Sequence, residues 1–205
     1  MKNSGPLLQP VAATLSSNHP TVDFEAANCI DGNTEGPDFV VEINDYPELP
    51  DIRGRICQTK NEPAPWIAVD YGTTVTVQRV EIFNRRDCCG ERTQNVDVRI
   101  SDEIPTSGSQ IFSGGTFLGH FAGPATNGQH IIITGQNLLL KERKEKILTN
   151  IPGQALSGRY VVVQMNNGEN TPLNLKEVKA RSGFFALIFS VLRHLFRQGR
   201  GLNTP

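Results

Sequence analysis

The chain has 205 residues, 38% of them hydrophobic and 20% charged, and a formal net charge of −1. That is enough for one domain with appendages and a hydrophobic core of its own, and the near-neutral balance argues against bulk electrostatic attraction to nucleic acid, which needs a basic face. No stretch is long and apolar enough to cross a bilayer as a helix, and Met1-Lys2-Asn3-Ser4-Gly5-Pro6 shows no apolar centre of a signal peptide.

In chain order, the first twenty-odd residues are polar with scattered apolar positions. Ala26-Ala27-Asn28-Cys29-Ile30-Asp31-Gly32-Asn33 is a short apolar piece that ends in a turn. Residues 34–56 are rich in Pro, Asp, Glu and Gly and read as one long loop. Strands come next: Ile67-Ala68-Val69-Asp70-Tyr71, then residues 75–83 with their β-branched side chains. Val96, Val98 and Ile100 alternate with Asp97 and Arg99, the period of a half-buried strand. Residues 116–121, 130–134 and 160–165 are further strands, and Leu173, Leu175 and Val178 mark the last. The chain's 13 prolines and 19 glycines fall between these runs as turn punctuation. Many short strands separated by turns predict an all-β sandwich or jelly roll.

Two segments stand apart. Lys141-Glu142-Arg143-Lys144-Glu145-Lys146 carries its own counter-charges and reads as a solvated loop or helical turn. In the tail, Phe184, Ile188, Val191 and Leu195 recur at helical spacing, with Arg193, His194 and Arg197 opposite. A short amphipathic helix of this kind suits a membrane surface or a partner. An unstructured extension, or a helix packed on its own domain, is the plainer alternative.

The chemistry concentrates in Asn84-Arg85-Arg86-Asp87-Cys88-Cys89-Gly90-Glu91-Arg92, a loop between two strands. If the adjacent cysteines bond, they close a small rigid ring with a flat, polarizable sulfur face; otherwise they are reduced or separately bonded cysteines beside surface arginines. The flanking guanidinium groups present several donors in a fixed plane, which suits neighbouring sugar hydroxyls. An apolar plate with converging donors is what a carbohydrate site needs.

Here the sequence resembles the fucose-binding F-type lectins, or fucolectins. Their signature is a histidine followed at fixed spacing by Arg-x-Asp-Cys-Cys-x-x-Arg. Arg85 to Arg92 match its second part fully, and Gln58 stands at the histidine's spacing. Gln58-Thr59 and Pro65-Trp66, Asp31-Gly32-Asn33, Gly158-Arg159-Tyr160-Val161 and Leu175-Lys176-Glu177-Val178 are similar to family landmarks in the same order. The resemblance covers residues 10–181, leaving 1–9 as an N-terminal extension and 182–205 as the tail. It implies a jelly-roll β-sandwich of the discoidin, galactose-binding-domain-like type. It implies that Arg85 and Arg92 donate to sugar oxygens and that Cys88 and Cys89, as a vicinal disulfide, pack on the apolar side of L-fucose. It also implies a calcium ion held by Asn28, Asp31, Asn33 and Glu177, with backbone carbonyls completing a hard oxygen shell. An oxidising, extracellular setting goes with it.

Three departures bear on function. Gln58 replaces the histidine, which lowers fucose affinity or shifts sugar preference. Lys176 stands where many members have a cysteine, so Cys57 is left with Cys29 as its available partner; two buried thiols are the alternative. The loop at 34–56 is longer than usual and adds contacts to a larger glycan or obstructs the site. The expected function is a calcium-bearing lectin for fucosylated or related glycans, oligomeric because single shallow sites bind weakly. An adhesion or protein-interaction module on the same fold, its sugar site altered by Gln58, is the alternative. No nucleophile or metalloprotease motif is present, and His19, His120, His130 and His194 form no ligand pattern, so an enzyme is not expected.

Overall fold

The computed structural model describes residues 5–20, 24–35, 56–135 and 155–183. Residues 36–55 of the long loop, the charged run at 141–146 and the tail helix expected from Phe184 onward lie outside the described residues. The strands are β1 (Ala12–Leu15), β2 (Cys57–Gln58), β3 (Trp66–Val77), β4 (Arg79–Asn84), β5 (Val96–Ser101), β6 (Thr116–Phe121), β7 (His130–Thr134), β8 (Leu156–Met165) and β9 (Asn174–Arg181). They form a five-stranded sheet, β1-β3-β8-β5-β6, facing a four-stranded sheet, β2-β9-β4-β7. Every described pairing is antiparallel. This is the all-β sandwich expected from the strand spacing. Among the described residues, helical backbone is confined to two single 3-10 turns, Ala26–Cys29 and Gly90–Arg92.

The core arises from the alternation of side chains. Val96, Val98 and Ile100 turn inward from β5 to meet Val80 and Ile82 of β4, Val161 and Val163 of β8, and Val178 and Ala180 of β9. Their β-branched side chains suit a pleated surface buried on one face. Val162, between Val161 and Val163, packs instead with Trp66 and Ala68 in a second, smaller cluster.

The second expected strand begins at the wrong place. The expected runs 67–71 and 75–83 share the first strand's continuation: β3 passes through a register shift between Asp70 and Val75 and ends at Val77. Gly72, at φ +73°, and an Asp70 carboxylate that accepts the Gly72 N–H at 2.6 Å make this irregularity. The change of sheet comes later, at Gln78, between β3 and β4. A composition break at Gly72 therefore marks a bulge inside a strand and not its end.

The segment 5–8, read from sequence as part of an extension, lies against the domain. Leu7 bridges Arg181, the Leu8 N–H donates to the Ala180 carbonyl at 2.9 Å, and the Ser182 N–H donates to the Pro6 carbonyl at 3.0 Å. It lies along a part of β9 that the two residues of β2 do not reach.

Three strand ends converge at one edge of the sandwich. Gln58 pairs with Asn174, and Asn84 with Leu175. The last residue of β2, the first of β9 and the last of β4 therefore meet at one end of the four-stranded sheet, where the loop after Asn84 emerges.

Candidate functional site

Asn84 ends β4 with its side chain buried and fully engaged. Its Nδ2 donates to the carbonyls of Gly90 and Thr126, each at 2.9 Å, and its Oδ1 accepts the Thr93 hydroxyl at 2.8 Å. The far side of the loop is fixed by Asn127, whose Oδ1 accepts the Gly90 N–H at 2.8 Å. Gly90 leaves no room for a side chain: a Cβ there would stand 2.6 Å from Asn127 Oδ1 and 2.7 Å from the Asn127 nitrogen. The Gly128 N–H donates to the Arg85 carbonyl at 2.7 Å. The loop is thus held from β4 and from the segment before β7.

On this frame Cys88 and Cys89 are joined as a vicinal disulfide, with Cα atoms 3.8 Å apart. Both residues are half-buried, and Cys89 adopts a left-handed backbone with φ 60°. Left-handed backbone is uncommon for a non-glycine residue and is retained where the surroundings fix it.

Arg85 opens the loop three residues before the disulfide. Its Nε and Nη2 donate to the two oxygens of Asp87, at 2.6 and 2.8 Å, a bidentate pair that sets the guanidinium plane. The hydrogen bond from Arg85 holds the Asp87 carboxyl below its ordinary range, with burial opposing and the arginine charge adding to the effect. Its Nη1 reaches Gln58 Oε1 at 3.4 Å. Arg92 comes next in the 3-10 turn, half-buried, and among the described residues its guanidinium meets no hydrogen-bond acceptor or carboxylate. Of the five residues expected to touch sugar, the structure brings Gln58 against Arg85 and joins Cys88 to Cys89, with Arg92 in the 3-10 turn that follows the disulfide. Sequence reasoning missed the roles of Asn84 and Asn127, which hold the loop in place, and gave Asp87 no role although it lies within the motif.

Of the residues expected to hold calcium, Asp31 and Glu177 meet beside β9. Glu177 is buried, and both of its carboxylate oxygens accept the Gly32 N–H at 3.2 Å. Burial pushes the Glu177 carboxyl up to about 8; the Lys179 charge opposes this, while the Asp31 carboxylate and its hydrogen bond reinforce it. Asp31 Oδ1 accepts the Asn33 N–H at 2.7 Å, and Asn33 Oδ1 accepts the Glu35 N–H at 3.1 Å. Asn28 donates through Nδ2 to the Ile56 carbonyl at 3.1 Å. Two neighbouring carboxylates, one of them buried, with amide and backbone oxygens around them, are a hard-oxygen donor set suited to calcium. Among the described residues no three His, Cys, Asp or Glu side chains converge as a metal cluster.

Cys29 and Cys57 form a disulfide with Cα atoms 5.4 Å apart, both sulfurs in the core. Of the two alternatives left by the sequence, bonded pair or free thiols, the first is the one observed. The bond closes the loop that starts with Asp31 and Asn33 and ends next to Gln58.

Comparison with known proteins agrees with this architecture. Residues 28–116 match the family described as NedA-like, galactose-binding domain. A fucolectin of Anguilla anguilla is 31% identical over 97 residues, 47% of this chain and 52% of the relative. The match thus spans about half the length of that curated relative. The crystal structure of an F-lectin (fucolectin) from Morone saxatilis serum superposes with a TM-score of 0.59 at 24% identity, covering 85% of this chain and 47% of that one. A Streptococcus pneumoniae fucose binding module superposes with a TM-score of 0.55 at 19% identity, covering 89% of this chain and 99% of the module. These structural likenesses establish the fold as the discoidin-like, galactose-binding type of jelly-roll sandwich.

Proposed function

We propose that this chain is an F-type lectin with a discoidin-like domain, a calcium-bearing lectin for L-fucose-containing glycans. Gln58, Arg85 and Arg92 supply the donors. Gln58 Nε2, which has no partner among the described residues, and the Arg85 and Arg92 guanidinium groups meet adjacent hydroxyls. The Cys88–Cys89 ring packs on the apolar side of the sugar, as a flat sulfur face packs on C–H groups. The observation that carries the reading is the contact of Gln58 Oε1 with Arg85 Nη1 at 3.4 Å, Gln58 ending β2 and Arg85 opening the loop that holds the vicinal disulfide.

Asn28, Asp31, Asn33 and Glu177, with backbone carbonyls, hold the calcium. A calcium ion there would supply positive charge beside the Asp31–Glu177 pair. Catalysis has no part in this reading: the named relatives are lectins and a binding module, and the site offers donors and an apolar plate but no activated nucleophile. The two disulfides accord with an oxidising, extracellular setting. Weak single sites accord with an oligomer that gains affinity by multivalency.

The test is a glycan array probed with the oxidised, calcium-loaded protein beside its Gln58→His variant. Binding of fucosylated glycans by the native chain is the expected result. Binding by the variant alone means that Gln58 has retired the sugar site, and silence from both overturns the reading in favour of an adhesion module.

A further inference from the structure

Asn174 opens β9 directly opposite Gln58. Opposed residues of an antiparallel pair project to the same face, with Cβ atoms about 4.5–5.5 Å apart. The backbone around this pair is clamped: the Thr59 N–H donates to the Leu173 carbonyl, and the Leu173 N–H donates to Thr59 Oγ1, each at 3.0 Å. Asn174 is fully buried, yet among the described residues neither its Oδ1 nor its Nδ2 has a hydrogen-bond partner. A buried amide in that state is costly, and such groups in a folded protein call for a partner. Gln58 is placed to be that partner. Its Oε1 makes only a long contact with Arg85, at 3.4 Å, and its Nε2 is not engaged by any described residue.

We propose that Asn174 is a positioning residue of the sugar site: when Arg85 turns its donors to a sugar hydroxyl, the Gln58 amide pairs with the Asn174 amide and is held facing the sugar. Each amide has donors and an acceptor, so the two are complementary side by side. The pairing answers the difficulty that Gln58 creates. A glutamine has one more rotatable bond than a histidine, and fixing it costs more side-chain entropy unless a neighbour fixes it first. Asn174 is that neighbour, one strand away and already ordered. The inference rests on the fucose-binding reading and adds to it the residue that lets a glutamine serve there.

The experiment is calorimetric titration of the oxidised, calcium-loaded full chain with a fucosylated oligosaccharide, in the native protein and in Asn174→Leu, Gln58→His and the double variant. Thermal unfolding without sugar is measured alongside. Asn174→Leu is expected to weaken binding about five- to tenfold, the loss of one or two hydrogen bonds. Its unfolding midpoint stays or rises, because an apolar side chain of similar shape removes an unpartnered buried amide. In the Gln58→His background the same substitution leaves affinity unchanged. Equal losses in both backgrounds, or none in the native one, overturn the proposal. Should the leucine variant fail to fold, Asn174→Ala is read by the same cycle. If the native chain binds no fucosylated glycan, the fucose reading falls and this inference with it. If the native chain binds and Asn174→Leu is indifferent, only the inference falls.

Discussion

Asn84 Nδ2 donates to the Gly90 carbonyl at 2.9 Å, and this contact ties the end of β4 to the far side of the Cys88–Cys89 ring. The same amide engages Thr126 and Thr93, so one buried side chain joins three segments. Replacing it by leucine strands two carbonyls and a hydroxyl in a buried place. Asn84→Leu is expected to destabilise the domain by about 1–3 kcal/mol and to weaken fucose binding at least tenfold by releasing the loop. Denaturant melts and sugar titration on the same preparation check both. Unchanged binding in a folded variant would show that the ring keeps its place without Asn84.

Gly90 packs against Asn127 closely enough that any side chain forces the two apart, with backbone atoms within 3 Å of a new Cβ. Backbone cannot move aside as a side-chain tip can. Gly90→Ala is expected to cost about 1–3 kcal/mol, in the range of overpacked sites, and to lower sugar affinity. Gly168, with nothing within 4 Å of its added Cβ but φ +69°, serves as a comparison in which only backbone strain acts. An alanine at 90 that melts like the native chain would contradict the close approach.

Legibility in the sequence differs from part to part of the molecule. Strand alternation at Val96, Val98 and Ile100 is a local signal, and the five residues of the proposed sugar face sit within or at a fixed distance from one motif. The exit from β3 is not legible because Gly72 looks like a turn, whereas Asp70 turns it into a bulge that the strand runs through. Asn84, Asn127 and Asn174 give no signal, because an asparagine in a strand or loop acquires its role only from residues far along the chain. The pairing of Cys29 with Cys57 is equally non-local: it depends on β2 lying beside the 3-10 turn at Ala26–Cys29.

The Cys29–Cys57 bond closes a loop with a sequence separation of 28 residues. Chain-entropy arguments put its contribution at about 3–4 kcal/mol for a loop of this size. The double substitution Cys29→Ala, Cys57→Ala is expected to lose about that much, plus a smaller cavity cost in the core. Gln58 begins where the bond ends, so sugar affinity falls with it. Urea unfolding of oxidised native and double-variant protein measures the first, and titration the second. A difference under about 1 kcal/mol would mean that the hydrogen bonds from Asn28 to Ile56 and from Gln58 to Phe24 already hold β2 in place.

Calcium should act as a ligand of the folded state alone. At a free concentration a hundredfold above its dissociation constant it adds about 2.7 kcal/mol to stability. Chelation is therefore expected to lower the unfolding midpoint, and re-addition of calcium to restore it, where magnesium restores less because it demands a smaller, octahedral shell. Glu177→Gln and Asp31→Asn should each abolish the calcium response while leaving the sandwich folded. A midpoint indifferent to chelator in the native chain would rule calcium out as a ligand of this fold.

Asp87 is expected to set the pH range of the proposed sugar site. Its carboxyl lies below the ordinary value of 3.8, chiefly through the hydrogen bond from Arg85. A carboxylate whose folded value is depressed contributes fully above its unfolded value and loses that contribution as pH falls through the folded one. Sugar binding that depends on Asp87 holding Arg85 is therefore expected to be level from neutral pH down to about 4 and to fall below that. Asp87→Asn keeps the shape but cannot hold the guanidinium with a charge, so it should bind weakly throughout and show little further loss on acidification. Glu81 is a second carboxylate to separate from this effect. Burial raises it, but Arg181, Arg79 and His130 more than offset that and hold it low, so its contribution to stability also disappears in acid. Circular dichroism over the same range identifies unfolding, and only the loss of affinity that precedes it belongs to Asp87. A native profile that falls in parallel with that of Asp87→Asn would assign the acid sensitivity to the fold and free Arg85 from its dependence on Asp87.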